Sequence, residues 1–390
     1  MNLHGTLAKL IELGGSDLHL KVDSPPMGRV DGELRPVDEG ILEDEDLEAV
    51  LADVTERTPA RREAFYETGD LDTAYVAEGL GRFRVNAFRQ RGAISFAFRH
   101  IPSQVPTFDQ LGLPAGVEKL SGEHRGLILV TGATGSGKTT TLAAIIDRIN
   151  RTRQQHIVTI EDPIEIVHED HSSIVNQREV GLDTESFMQG LRRALRQDPD
   201  VILIGELRDE ESAKAALQAA ESGHLVLSTM HTIDAAETVG RLIEFFPPGK
   251  QMVIRQILAG VLRGVVSQRL LPQLGGGRVA AVEVLVNTAR IAELIRDPTK
   301  TEGITEALEE GQFHHMQSFA QHLVQLVVDE VVEFDLAAAA ATNRHDFEIA
   351  VQQALRQKRV GDEAFAEVEF DDVEEEGPEE EEFSGLRIVP

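Results

Sequence analysis

The 390-residue chain contains no cysteine. That excludes disulfides, cysteine-ligated zinc, iron–sulfur clusters and thiol catalysis together. No apolar run comes near the ~20 residues of a membrane-spanning helix, so no spanning segment is expected. The opening residues, Met1-Asn-Leu-His-Gly5, lack a basic stretch followed by an apolar core. No export signal is read there, and a cytoplasmic location is expected. Basic residues are few: 38 Lys and Arg stand against 67 Asp and Glu, a net charge of −29. Residues 361–383 hold thirteen of those acids and no Lys or Arg, and without them the chain still carries −16. A nucleic-acid binder needs clustered cations, so no nucleic acid is expected as a partner.

The remaining composition is that of an ordinary folded protein, 41% apolar and 27% charged, long enough for two or three domains. The first hundred residues carry alternating stretches at 17–22, 28–35, 82–88 and 94–98. Period-two alternation with Gly, Pro and Asp between reads as half-buried antiparallel strands, with one or two helices over 42–65. A linker is expected around Pro102, Pro106 and Pro114. Beyond residue 120 the pattern changes to short, wholly apolar runs (127–130, 157–160, 201–204, 225–227) separated by helical stretches. That is the pattern of a parallel sheet covered on both faces, an α/β architecture. Helices continue from about 304 to 357, and an acidic, disordered tail is expected after them.

The strongest motif is Gly132-Ala-Thr134-Gly135-Ser136-Gly137-Lys138-Thr139, followed by Thr140. It fits G-x-x-x-x-G-K-[ST], with an apolar strand leading in and a helix leading out. Such a loop turns backbone N–H groups around phosphates, and the helix N-terminus adds partial positive charge. Lys138 is expected to reach the β- and γ-phosphates of a bound nucleotide, and the Thr139 hydroxyl to bind Mg²⁺. Three further segments end apolar strands. Asp200–Asp209 delivers Glu206; Thr159–Glu165 supplies Glu161, Asp162 and Glu165; Gly223–Thr232 carries His224 and His231. Ligands in open α/β sheets collect at the carboxyl ends of strands. Carboxylates there can organise Mg²⁺ or serve as a general base. Arginines complete the set: Arg82, Arg84 and Arg89 in the first domain, Arg192, Arg193 and Arg196 as a local cationic patch, then Arg208 and Arg241.

In this order and spacing the motifs resemble the secretion-type ATPases of type IV pili, over about residues 10–350 and most strongly the retraction branch. The family names the blocks Walker A (Gly132–Thr139), Asp box (Thr159–Glu165), Walker B (Val201–Asp209) and His box (Gly223–Thr232). The resemblance implies a RecA-like P-loop ATPase core with a mainly parallel sheet at 106–357, C-terminal helices included. A small α+β, PAS-like N-terminal domain at 1–105 would precede it, and an acidic tail at 358–390 would follow. It implies ATP and Mg²⁺ as cofactors. ATP binding falls to Gly132, Thr134, Gly135, Ser136, Gly137, Lys138, Thr139 and Thr140, and Mg²⁺ to Thr139 and Glu206. Glu165 corresponds to the general base, Glu206 to the Walker B acid, His231 to a γ-phosphate sensor and His224 to its support. Arg82 and Arg84 match arginines that reach nucleotide across the cleft or from a neighbour. The implied partners are a homohexameric ring of the chain itself and an inner-membrane platform protein, with only peripheral membrane contact. The implied work is pilus retraction.

The chain also departs from the family pattern. Retraction ATPases carry a stretch like A-I-R-N-L-I-R-E, whereas this chain has Arg290-Ile-Ala292-Glu-Leu-Ile-Arg296-Asp297. His315 stands where the family has Gly, and Ala133 where it often has Pro. Two alternatives stay open: the assembly or type II secretion branch, against which the lack of cysteines and the short N-terminal region speak, and a non-hydrolysing regulatory nucleotide-binding protein.

Overall fold

The computed structural model describes residues 1–30, 32–101 and 104–368, with side chains through 358. By its internal contacts the chain forms two compact units. Among the described residues the first comprises Met1–Leu270 with Arg278–Ser318, and the second Leu271–Gly277 with residues 319–368.

The first unit holds two sheets. The N-terminal one is built from β1 (Asp17–Lys21), β2 (Met27–Val30), β3 (Glu33–Pro36), β4 (Asp70–Ala77), β5 (Gly81–Gln90) and β6 (Ala93–Ile101), in the order β3-β2-β1-β6-β5-β4. Its pairings are antiparallel. One face buries Leu18, Leu20, Phe83, Val85, Phe96 and Phe98 against Leu7, Leu10, Leu47, Leu51 and Phe65 of the helices Leu3–Glu12, Asp44–Val54 and Pro59–Thr68. The alternation at 28–35 resolves into the β2–β3 hairpin, not one strand. β4 and the first helix lie outside the expected elements, although Leu3, Leu7 and Leu10 recur at helical spacing and are all buried.

The second sheet comprises β7 (Gly126–Thr131), β8 (His156–Glu161), β9 (Ile174–Glu179), β10 (Val201–Ile204), β11 (Leu225–Met230), β12 (Leu262–Pro272) and β13 (Arg278–Val286). Its order is β13-β12-β7-β11-β10-β8-β9. The pairs β7–β11, β11–β10, β10–β8, β8–β9 and β7–β12 are parallel, so the sheet is mainly parallel as expected. Every residue of β7, β10 and β11 is buried, because helices cover both faces and Ile, Val and Leu fill the layers between. The helix Glu210–Glu221 behind β10 starts where Asp209 accepts the Ser212 N–H at 2.8 Å. That hydrogen bond holds the Asp209 carboxyl below its ordinary range.

The second unit packs the helices Phe319–Val328, Phe334–Ala340 and Arg344–Val368 around Leu323, Leu326, Phe347 and Val351. The Phe334 and Phe347 rings lie 5.9 Å apart. The last helix carries backbone to Val368, into the segment read as a tail; residues 369–390 lie outside the described residues.

Candidate nucleotide site

The strand registers bring the site together. Ile204 of β10 lies opposite Ile160 of β8 and Ser228 of β11, and Ser228 lies opposite Leu129 of β7. Four parallel strands therefore end at one edge, where their following loops meet.

The loop after β7 is fixed by sterics. Gly132 has φ +138°, and a Cβ there would lie 2.4 Å from the Gln268 carbonyl oxygen, so only glycine fits. The helix Lys138–Thr152 follows. The Lys138 ammonium donates to the carbonyls of Gly132 (2.8 Å) and Ala133 (3.0 Å). Its burial pushes its pKa down, opposed by the charges of Glu206 and Glu165. The Ser136 hydroxyl is buried with no hydrogen-bond partner among the described residues.

The turn after β10 is held by β11. Ser228 Oγ donates to the Ile204 carbonyl and Thr229 Oγ1 to that of Gly205, both at 2.7 Å. Glu206 then emerges with both oxygens engaged. Oε2 accepts from Arg208 Nε at 2.7 Å, and Oε1 lies 3.3 Å from His231 Nε2. Neither Ser228 nor Thr229 was singled out in the sequence. Their signal was two adjacent hydroxyls in an otherwise apolar strand.

The loop after β8 carries the remaining acids. Glu161 is buried, accepting from Thr159 Oγ1 (2.5 Å) and Gln177 Nε2 (3.1 Å). Burial raises its pKa above the usual carboxylate range despite those bonds. Glu165 is exposed at the cavity wall. Gln177 also donates to the Ile166 carbonyl and accepts the His168 N–H, so one amide laces the loop to β9.

These groups surround a cavity of about 630 Å³. Thr134, Gly135, Gly137, Lys138, Thr139, Thr140, Glu165, Glu206 and His231 line it, as do Glu161 and Arg208. Further lining comes from Leu142, Ala143, Ile166, His168, Phe187, Leu270 and Arg278, which sequence reasoning missed because they are scattered apolar or basic positions without a motif. The structure brings Walker A, the Asp box, Walker B and His231 together on one cavity.

The profile of the type II/IV secretion system protein family matches residues 109–357. The type IV pilus retraction ATPase PilT of Pseudomonas aeruginosa is 43% identical over 347 residues, covering 89% of this chain and all of that protein. The chain belongs to the type II/IV secretion system protein family. Within this family the type IV pilus ATPase PilU of P. aeruginosa is 39% identical, over 90% of this chain and 92% of its own. The crystal structure of the pilus retraction motor PilT with bound ADP superimposes with a TM-score of 0.83 at 41% identity, covering 89% of this chain and 99% of that one. The resemblance read from the motifs therefore holds, as does the RecA-like core. This secretion-family chain is an ATPase that binds nucleotide.

Five expected site residues lie apart from the cavity lining: Gly132 and Ser136, within the phosphate loop itself, and His224, Arg82 and Arg84. His224 precedes β11, at the edge opposite the phosphate loop, where its Nδ1 lies 2.9 Å from the Ala219 carbonyl. Seven residue steps of ~3.3 Å along β11 separate it from His231 by about 23 Å. Arg84 borders a shallower hollow of about 310 Å³ on the N-terminal sheet, with Asp17, Asp72, Asn86 and Arg99. Arg82 turns to Glu179, at 2.5 Å. Of the arginine patch, Arg192 pairs with Glu211 at 3.0 Å. Ala292 is buried in the core while Arg290, two residues earlier, is exposed and pairs with Glu310.

Proposed function

We propose that the chain works as a hexameric ATP-hydrolysing motor for type IV pilus retraction, driving pilin disassembly at an inner-membrane platform protein. The observation that carries this reading is the gathering of phosphate loop, Glu165, Glu206 and His231 on one cavity, in a chain that spans the whole of a retraction ATPase. The phosphate loop and Lys138 hold the nucleotide's phosphates. Glu165 takes the proton of the attacking water as general base. His231, beside Glu206, reports the γ-phosphate, and Arg84 serves nucleotide from the N-terminal sheet or from a neighbouring subunit, whereas Arg82 is engaged by Glu179. The donor set fits Mg²⁺. Thr139 and Glu206 offer oxygen ligands and both line the cavity beside the phosphate loop. That agrees with a hard ion held by one or two protein oxygens together with phosphates and water. When bound, the ion neutralises phosphate charge.

No helix among the described residues is long and apolar enough to cross a membrane. Peripheral contact from the inner face of the cell membrane is the membrane association we infer. Deleting the gene in its host and counting surface pili by electron microscopy tests the reading. More pili with lost twitching is expected, rescued by the wild-type gene and not by Glu206→Gln. Few or no pili would assign the chain to pilus assembly. A monodisperse, fully active monomer would overturn the ring.

A further inference from the structure

We propose that Arg82 and Glu179 form a positioning pair through which the N-terminal sheet sets the loop that carries Glu165. The inference rests on the reading of Glu165 as the general base. Arg82 is the second residue of β5, opposite Val76 and Ile101 in the neighbouring strands. Its guanidinium Nη2 donates to Oε2 of Glu179, the last residue of β9, at 2.5 Å. The two side chains are 17% and 5% exposed, so the pair is screened little by solvent. The same Oε2 accepts the backbone N–H of Ile164 at 3.2 Å. Ile164 is buried and immediately precedes Glu165. One carboxylate oxygen thus joins a cation of the N-terminal sheet to the amide next to the hydrolytic carboxylate.

The mount of Glu179 is firm. Its N–H donates to Asp183 Oδ2 at 2.8 Å, its carbonyl accepts the Asp183 N–H at 2.8 Å, and the next N–H, of Val180, donates to the Glu161 carbonyl at 2.9 Å. Arg61, on the helix Pro59–Thr68, donates to the Gly181 carbonyl and, at 2.9 Å, to that of Asp72. With the backbone of Glu179 fixed, what remains adjustable is how its side chain is shared between Arg82 and Ile164. Withdrawing Arg82 leaves a buried carboxylate without its cation, and a charge in that state reorients toward water or takes a proton. Either response loosens its hold on the Ile164 amide. A shift of about 1 Å in a catalytic group can cost up to ~100-fold in rate.

An arginine that touches ATP and one that acts through Glu179 differ in their kinetics. Steady-state ATPase of the full-length, assembled protein would be compared for Arg82→Gln, Arg82→Lys, Glu179→Gln, the double variant Arg82→Gln/Glu179→Gln, and Glu165→Gln, each checked for folding by thermal melting. The expected result is that Arg82→Gln and Glu179→Gln each lower kcat about tenfold, with KM for ATP within about twofold of wild type. The double variant falls no further than the worse single, and Arg82→Lys recovers most of the rate. If a single variant does not fold, the charge swap Arg82→Glu/Glu179→Arg replaces it and must restore kcat; a folded swap with low kcat refutes the pair. Raised KM in Arg82→Gln with an unaltered Glu179→Gln refutes it too, placing Arg82 on nucleotide. If Glu165→Gln is inactive while Glu179→Gln is normal, the pair alone fails. If Glu165→Gln turns over at the wild-type rate, the general-base reading fails, and this inference with it.

Discussion

Acidification should weaken this fold through His168. The ring lines the nucleotide cavity, its Nδ1 is buried without a hydrogen-bond partner, and burial pushes its pKa from the ordinary 6.5 down to about 4. Asp147 acts in the opposite direction, and the neighbouring His171 in the same one. In the unfolded chain the ring takes a proton near its ordinary pKa, while the folded chain resists until about 4. The unfolded state therefore binds more protons throughout that window, and stability falls as pH drops through it. Above the window His168 contributes nothing, and below it the loss is complete. At 1.36 kcal/mol per pH unit the full effect is about 3 kcal/mol. The ring borders an open cavity into which a charged form can turn, which reduces the figure to ~2 kcal/mol. Urea unfolding followed by circular dichroism at pH 7.5 and 4.5, on wild type and His168→Gln, measures it. Carboxylates such as Asp209 affect both proteins alike and cancel. Wild type should lose about 2 kcal/mol more than the variant between the two pH values. Acid limbs that agree within about 0.5 kcal/mol would refute the reasoning.

Two further outcomes follow from the site. Gly132→Ala should abolish nucleotide affinity, a loss of more than tenfold in ADP binding by calorimetry, because its Cβ would sit within 2.4 Å of the Gln268 carbonyl oxygen and 2.6 Å of Ser136 Oγ. Thr159→Val removes the hydroxyl that supports buried Glu161 while keeping the side chain's shape, and should cost about 1–3 kcal/mol by urea unfolding near neutral pH.

The phosphate loop was legible because its chemistry is contiguous: strand, glycines, lysine and helix occupy one stretch of chain, even though the Gln268 carbonyl that crowds Gly132 comes from distant β12. Glu165, Glu206 and His231 were legible for a related reason. Parallel strands with common ends bring whatever follows them to one edge, so knowing the strands is enough. His224 shows the limit of that logic, since a residue before a parallel strand is carried to the opposite edge by the same geometry. Glu179 was beyond reach. Its partner Arg82 lies 97 residues away, and β9 reads as an unremarkable polar alternation. The Gln177 lacing and the lining residues Phe187 and Leu270 are likewise products of tertiary packing, with no local pattern to mark them.

The grip of Arg61 and Arg82 on the Glu179–Gly181 turn also has a mechanical meaning. Both contacts come from the β4–β5 side of the N-terminal sheet, at one end of the order β3-β2-β1-β6-β5-β4. The opposite edge, β3, lies five strand spacings from β4, about 24 Å at ~4.8 Å each. A fulcrum at one margin of a stiff sheet makes the rest a lever arm. A tilt of roughly 10° about the arginines sweeps β3 through about 4 Å while the turn itself hardly moves. In reverse, a push on the distant margin arrives at the fulcrum shortened in travel and multiplied in force, a few bonds away from Glu165.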